Sequence, residues 1–272
     1  MSISSSRAVR RAVVVCLAAA LSLATVFASH AAAGTSPAAP ERAERAHAYR
    51  GESVTIDVAT RGRHVSTPLD LGVEGRTVRA FAPISSDREP LTVVYLHGVH
   101  GRPENGCPWL RSGASEVGWL VCPEGAVHET TGTASWGGDV LEQAAVVARA
   151  RRAAERRGAS SEPGVAVGFS QGGYVALDLV KTRLGRFRGL VLIAAPEAHP
   201  SAQRLKDAGV ARVALAAGSL DAAYAPLVAD TARLASEGIE ARFFDLGRVG
   251  HTYAAEDPDV LREAITWAAG HG

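Results

Sequence analysis

Val165-Ala166-Val167-Gly168-Phe169-Ser170-Gln171-Gly172-Gly173-Tyr174 is the stretch from which the rest of the chain can be read. Its first three residues are aliphatic and mostly β-branched, as in a strand buried on both faces. Gly-x-Ser-x-Gly follows, and residues 174–181 continue with helix-capable composition. Glycine is common here, 28 of 272 residues, so the motif alone says little. Its position between a strand and a helix carries the reading, because that is the setting its chemistry needs. A turn tight enough to lift a serine hydroxyl above the end of a sheet crowds the backbone on both sides. Glycines two before and two after Ser170 relieve that crowding. The helix begins beside the serine, so its first free N–H groups, that of Gln171 foremost, face any oxyanion formed there.

Working outward, short aliphatic runs recur at 91–96, 117–122, 190–194, 213–217 and 241–246. Helical stretches separate several of them. Residues 139–157 bring Val140, Ala144, Val147 and Ala148 to one face, start on an aspartate and close on arginines before Gly158, as the helix dipole favours. Those arginines read as a solvated helix terminus, not as a binding patch. Residues 226–237 carry proline in the first turn and Gly238 as a stop, and residues 258–269 open behind Asp257. Nearer the N-terminus, Val54, Ile56 and Val58, then Val78 and Ala80, alternate with other residues and predict two edge strands. The alternation of strand and helix predicts an α/β fold, a mainly parallel sheet with helices on both faces. Between the runs at 190–194 and 213–217 lie 18 residues, too few for a lid larger than one helix. An open site is expected.

A serine hydroxyl is a poor nucleophile until a histidine, itself oriented by a carboxylate, can take its proton. Asp221 ends Gly218-Ser219-Leu220-Asp221 after one strand run. His251 ends Gly247-Arg248-Val249-Gly250-His251 after another. Both lie past the carboxyl ends of strands, where a parallel sheet assembles its site. The rivals are His199, after the run at 190–194; Asp230, inside a helix; and Asp245, inside a strand. His97, before Gly98 at the end of the run 91–96, reads as structural.

From about Leu91 to the C-terminus the sequence resembles the carboxylesterase/phospholipase/acyl-protein-thioesterase branch of the α/β-hydrolases. The resemblance rests on Gly168-Phe169-Ser170-Gln171-Gly172-Gly173, Leu96-His97-Gly98, Gly218-x-x-Asp221, Gly250-His251, and Ser135-Trp136 with Asp139. It implies the α/β-hydrolase fold and the chain order serine, acid, histidine, which selects Ser170, Asp221 and His251 over the rivals. It implies an oxyanion hole shared by the backbone N–H groups of Val99 and Gln171. It further implies hydrolysis of carboxylic esters through an acyl-enzyme, with no metal or organic cofactor. Acyl transfer or peptide cleavage uses the same constellation, and a non-catalytic binding protein on the fold is the third reading. Trp136, Trp109 and Tyr174 are the candidate pocket residues.

Residues 1–33 have the parts of an export signal: Arg7, Arg10 and Arg11, an apolar run from 12 to 28, and Ala31-Ala32-Ala33 before Gly34. The run is shorter and more alanine-rich than a membrane span of roughly 20 residues. Residues 34–50 read as a flexible linker, and 51–272 as the catalytic domain. Removing the three arginines leaves 26 basic against 28 acidic side chains, so bulk charge suggests no nucleic acid. An exported chain, secreted or periplasmic, then retains two cysteines, Cys107 and Cys122. They are expected at the same end of the sheet, Cys107 in a loop, joined by a disulfide. The expected partner is a small or exposed ester, without stable membrane insertion.

Overall fold

The computed structural model describes residues 68–73, 76–84 and 89–271. The expected signal segment, linker and first edge strand (54–58) lie outside them. Eight strands form one mixed sheet: β1 (Leu69–Val73), β2 (Arg76–Phe81), β3 (Leu91–Leu96), β4 (Gly118–Cys122), β7 (Gly164–Phe169), β8 (Phe187–Ile193), β9 (Arg212–Ala217) and β10 (Glu240–Asp245). Their order is β1-β2-β4-β3-β7-β8-β9-β10. The β1–β2 and β2–β4 pairings are antiparallel, and every pairing from β4 through β10 is parallel. A two-stranded hairpin, β5 (Val127–His128) with β6 (Ala134–Ser135), stands apart from it.

The continuous aliphatic runs are explained by burial on both faces. In β3, Val93 and Tyr95 join one core layer, while Val94 and Leu96 join the other. Helices α1 (Pro103–Val117) and α6 (Asp259–Ala268) cover the first face. Helices α2 (Val140–Glu155), α3 (Gln171–Lys181), α4 (Ala202–Asp207) and α5 (Tyr224–Ser236) contribute to the layer on the second. Asp139 caps α2, its carboxylate accepting from the N–H groups of Leu141 and Glu142. Between β8 and β9 the only helix is the six-residue α4, so no lid covers the sheet there. No helix among the described residues is long and apolar enough to cross a membrane.

Helix α1 corrects the expectation of a loop around Cys107, and Val117 closes this helix rather than opening β4. The segment reads as irregular because it holds Pro103, Pro108, Gly106 and Gly113. Pro103 sits where a helix tolerates proline, in the first turn. The glycines are sites of close packing: a Cβ at Gly106 would lie 2.1 Å from the Tyr95 hydroxyl, and one at Gly113 2.7 Å from the Arg262 Cα. The residues that lower helix propensity are the ones that let α1 press onto β3 and α6. Cys107 and Cys122 are joined by a disulfide, with Cα atoms 6.2 Å apart. The pairing holds although Cys107 is helical, since α1 starts where β3 ends and Cys122 ends the parallel neighbour β4.

Candidate active site

Strand β7 runs straight into α3, and Ser170 is the single residue between them, with φ 50° and ψ −117°. Left-handed φ at a residue with a side chain costs about 1–3 kcal/mol and must be held by its surroundings. Here the Ser170 N–H donates to Ile193 O of β8 at 2.9 Å, and Ser170 O accepts from Gly173 N at 2.9 Å. The motif glycines have steric reasons to be glycine. A Cβ at Gly168 would stand 2.4 Å from Gly172 O, and one at Gly172 would stand 1.9 Å from Leu96 O.

His251 Nε2 lies 3.0 Å from Ser170 Oγ, and its Nδ1 lies 2.9 Å from Asp221 Oδ2. An ionised carboxylate only accepts, so this geometry selects the tautomer with the proton on Nδ1 and leaves Nε2 as acceptor for the serine proton. The Asp221 side chain is 2% exposed, and its other oxygen accepts from Ala223 N–H at 2.8 Å. The loops carrying Asp221 and His251 are laced together: Ser219 N–H donates to Gly247 O, and Leu220 N–H to Val249 O. Gly218 permits this approach, since a Cβ there would meet Val249 O at 2.1 Å. The Phe169 ring packs against His251 at 5.1 Å and edge-on to Tyr253 at 5.0 Å.

The rivals stand elsewhere. His199 pairs with Asp230 at 3.1 Å, which also takes the Arg233 guanidinium. Asp245, at the end of β10, accepts from Tyr224 Oη and Gly247 N–H. His97 is buried; its Nδ1 faces Gly98 O at 2.7 Å and its Nε2 accepts from Gly125 N–H at 3.0 Å. Burial pushes the His97 pKa down, against opposing contributions from the Gly98 carbonyl, Glu124 and Glu104.

Val99 follows Gly98, whose Cα is close enough to the elbow that a Cβ on it would stand 3.4 Å from Ser170 Cβ. Among the described residues, neither Val99 N–H nor Gln171 N–H has a protein acceptor. The two segments that bear them are cross-braced through Trp136. Trp136 N–H donates to Gln171 Oε1 at 3.0 Å, Gln171 Nε2 donates back to Trp136 O at 3.3 Å, and the indole N–H donates to His97 O at 3.0 Å. A second tether holds the same loop from outside. His100, at φ 50°, donates its N–H to Ser135 Oγ and places Nδ1 2.6 Å from Glu129. Hydrogen bonds from Thr133, then Ser135, help hold the Glu129 carboxyl below its ordinary pKa.

The pocket candidates divide. Trp136 is 5% exposed, its indole packed against His97 at 5.3 Å, so it sits beneath the loop instead of lining an open mouth. Trp109 is half-buried on α1. Tyr174 is exposed in the first turn of α3, its hydroxyl donating to Pro196 O. Val99 and Leu220, each adjacent to a residue named above, are exposed apolar side chains. Sequence reasoning missed Glu129, His100 and the Gln171 side-chain clamp, because no local pattern links residues some 30 positions apart.

No family model matches the chain, and no curated protein matches it in sequence. Solved structures match its fold. An uncharacterised protein from Bacillus cereus aligns with TM-score 0.58 and 18% identity over 69% of this chain, which spans only 62% of that protein. A carboxylesterase from Mesorhizobium loti aligns with TM-score 0.54 and 25% identity, covering 71% of this chain and 94% of its own. A carboxylesterase from Bacillus cereus gives TM-score 0.53 and 17% identity, covering 72% and 94%.

Proposed function

We propose that this chain, an α/β-hydrolase by fold, is a serine-dependent hydrolase of carboxylic esters. The observation that carries the reading is the hydrogen-bonded chain Asp221–His251–Ser170, with links of 2.9 and 3.0 Å, at the carboxyl end of a parallel sheet. Ser170 Oγ attacks the ester carbonyl while His251 Nε2 takes its proton, and Asp221 stabilises the imidazolium. The N–H groups of Val99 and Gln171 receive the oxyanion. Collapse of the tetrahedral intermediate breaks the ester C–O bond. The alcohol leaves with the proton from His251, and the acyl group stays on Ser170. Water, deprotonated by the same imidazole, then releases the acid and restores the serine. Each role falls to a side chain or backbone group of this chain, with none left for a metal or organic cofactor.

The absence of a lid between β8 and β9, with His251 half-exposed, supports small or accessible esters as substrates. The disulfide is in keeping with export to an oxidising compartment, secreted or periplasmic. A fluorophosphonate probe and a panel of p-nitrophenyl esters test the reading. The probe should label wild type but not Ser170→Ala, and that variant should lose roughly a millionfold in kcat while remaining folded. A variant that kept a tenth of wild-type turnover would overturn the assignment.

A further inference from the structure

At the far end of the sheet from Ser170, two arginine-rich segments come together. Residues 149–157 close α2, and residues 181–188 run from the end of α3 into β8; together they hold nine cationic side chains and one acidic one, Glu155. The chain as a whole is nearly balanced, with 29 basic and 28 acidic residues, so this concentration is local. Arg152, Arg156, Arg157, Lys181, Arg186 and Arg188 are exposed, and none has an ion-pair partner among the described residues. Arg183 reaches Asp207, an acid outside the segments, at 3.9 Å.

The juxtaposition is built. Arg151 is nine-tenths buried and fastens the segments, donating to Arg186 O and to Glu162 O at 3.1 Å each. Its Nε has no hydrogen-bond partner among the described residues. Burial pushes its pKa down, the Glu155 carboxylate opposes that, and the Arg186 charge adds a smaller downward push. Between the segments lies a cleft of about 290 Å³, lined by Arg151, Arg152, Arg186, Ser161, Glu155 and Leu184. Leu184 is 41% exposed among these cations. Cations surrounding an exposed aliphatic side chain suit the boundary between headgroups and acyl chains of a bilayer.

We propose that this end of the molecule docks peripherally on a lipid surface carrying anionic phosphate headgroups, one of which seats in the cleft. The orientation has a consequence. The cleft lies at the amino ends of β7 and β8 and Ser170 at the carboxyl end of β7, about 20 Å away at some 3.3 Å per residue. A docked molecule therefore turns its serine away from the lipid and toward soluble substrate. Docking does not depend on the function assigned to Ser170, so Ser170→Ala should dock as wild type does.

Co-sedimentation of the full chain with phosphatidylglycerol-containing vesicles, against phosphatidylcholine vesicles, tests this. Wild type should bind the anionic vesicles only, and release as salt shortens the screening length from about 10 Å at 0.1 M to 3 Å at 1 M. Each cation at an anionic surface is worth about fivefold in partition. Replacing four of them (Arg152→Gln, Arg156→Gln, Arg186→Gln and Arg188→Gln) should weaken binding by roughly two to three orders of magnitude. Hydrolysis of a soluble ester should stay unchanged in that variant and in vesicle-bound wild type. Should the fourfold variant not fold, Arg186→Gln alone should show a fivefold loss. No binding to anionic vesicles, equal binding by a folded variant, or stabilisation by inorganic phosphate without vesicle binding would each overturn the proposal. Loss of soluble-ester hydrolysis on docking would overturn the orientation.

Discussion

At the residue scale, two side chains near the serine have consequences that can be measured. Burial favours neutral His97, and its folded pKa lies below the ordinary histidine value of about 6.5. The sign follows: above about 6.5 both folded and unfolded His97 are neutral and the residue contributes no pH dependence. As pH falls below that, the unfolded chain takes up a proton that the folded one resists, so stability drops until the folded pKa is reached. His97→Gln keeps an acceptor for Gly125 N–H and does not titrate. Denaturant melts from pH 7 to 5 should therefore show wild type losing stability relative to the variant, and parallel curves would contradict the assigned cause. Trp136 gives a second test, conditional on the proposed reaction. Trp136→Phe retains a ring against His97 but removes the hydrogen bond to its carbonyl, worth about 1 kcal/mol net. If Trp136 braces the oxyanion loop, kcat should fall about fivefold to tenfold at constant KM, with matching loss of affinity for a boronic acid inhibitor. A rise in KM alone would mean that it lines the substrate pocket.

Among the elements, α1 and the elbow make opposite points. Gly168 announces the turn at Ser170 locally, because a Cβ there would collide with the Gly172 carbonyl, whereas a Cβ at Gly172 would meet Leu96 O of the distant strand β3. Helix α1 is locally discouraged and exists because tertiary packing outweighs propensity. The disulfide ties the first turns of that helix to the end of β4 across 15 residues, close to the loop bearing Val99. By loop-closure entropy the bond stabilises by roughly 3 kcal/mol. Cys107→Ser with Cys122→Ser should lower the free energy of unfolding by about that amount, read from denaturant midpoints at unchanged slope. Two reactive thiols in denatured, unreduced wild type would show that the bond does not form in solution.

For the whole molecule, the short connection between β8 and β9 governs access. If the proposed reaction holds, this lidless chain should turn over water-soluble, short-chain esters without a jump in rate at the substrate's solubility limit. Such a jump in a titration of p-nitrophenyl butyrate through saturation would reveal a moving cover that α4 alone does not provide. What the sequence determined by itself was the part written in local sterics and periodicity. Buried strands appear as aliphatic runs, the elbow as spaced glycines, and the ends of strands as the places where Asp221 and His251 fall. Tertiary structure alone decided what depends on groups distant along the chain. It turned a proline- and glycine-bearing segment into α1, moved Trp136 beneath the loop bearing Val99, and tied that loop to Glu129. It also brought the arginines of 149–157 against those of 181–188. The physical reason is common to these cases: a hydrogen bond or close contact between distant segments is specified by both partners at once, and neither segment shows it alone.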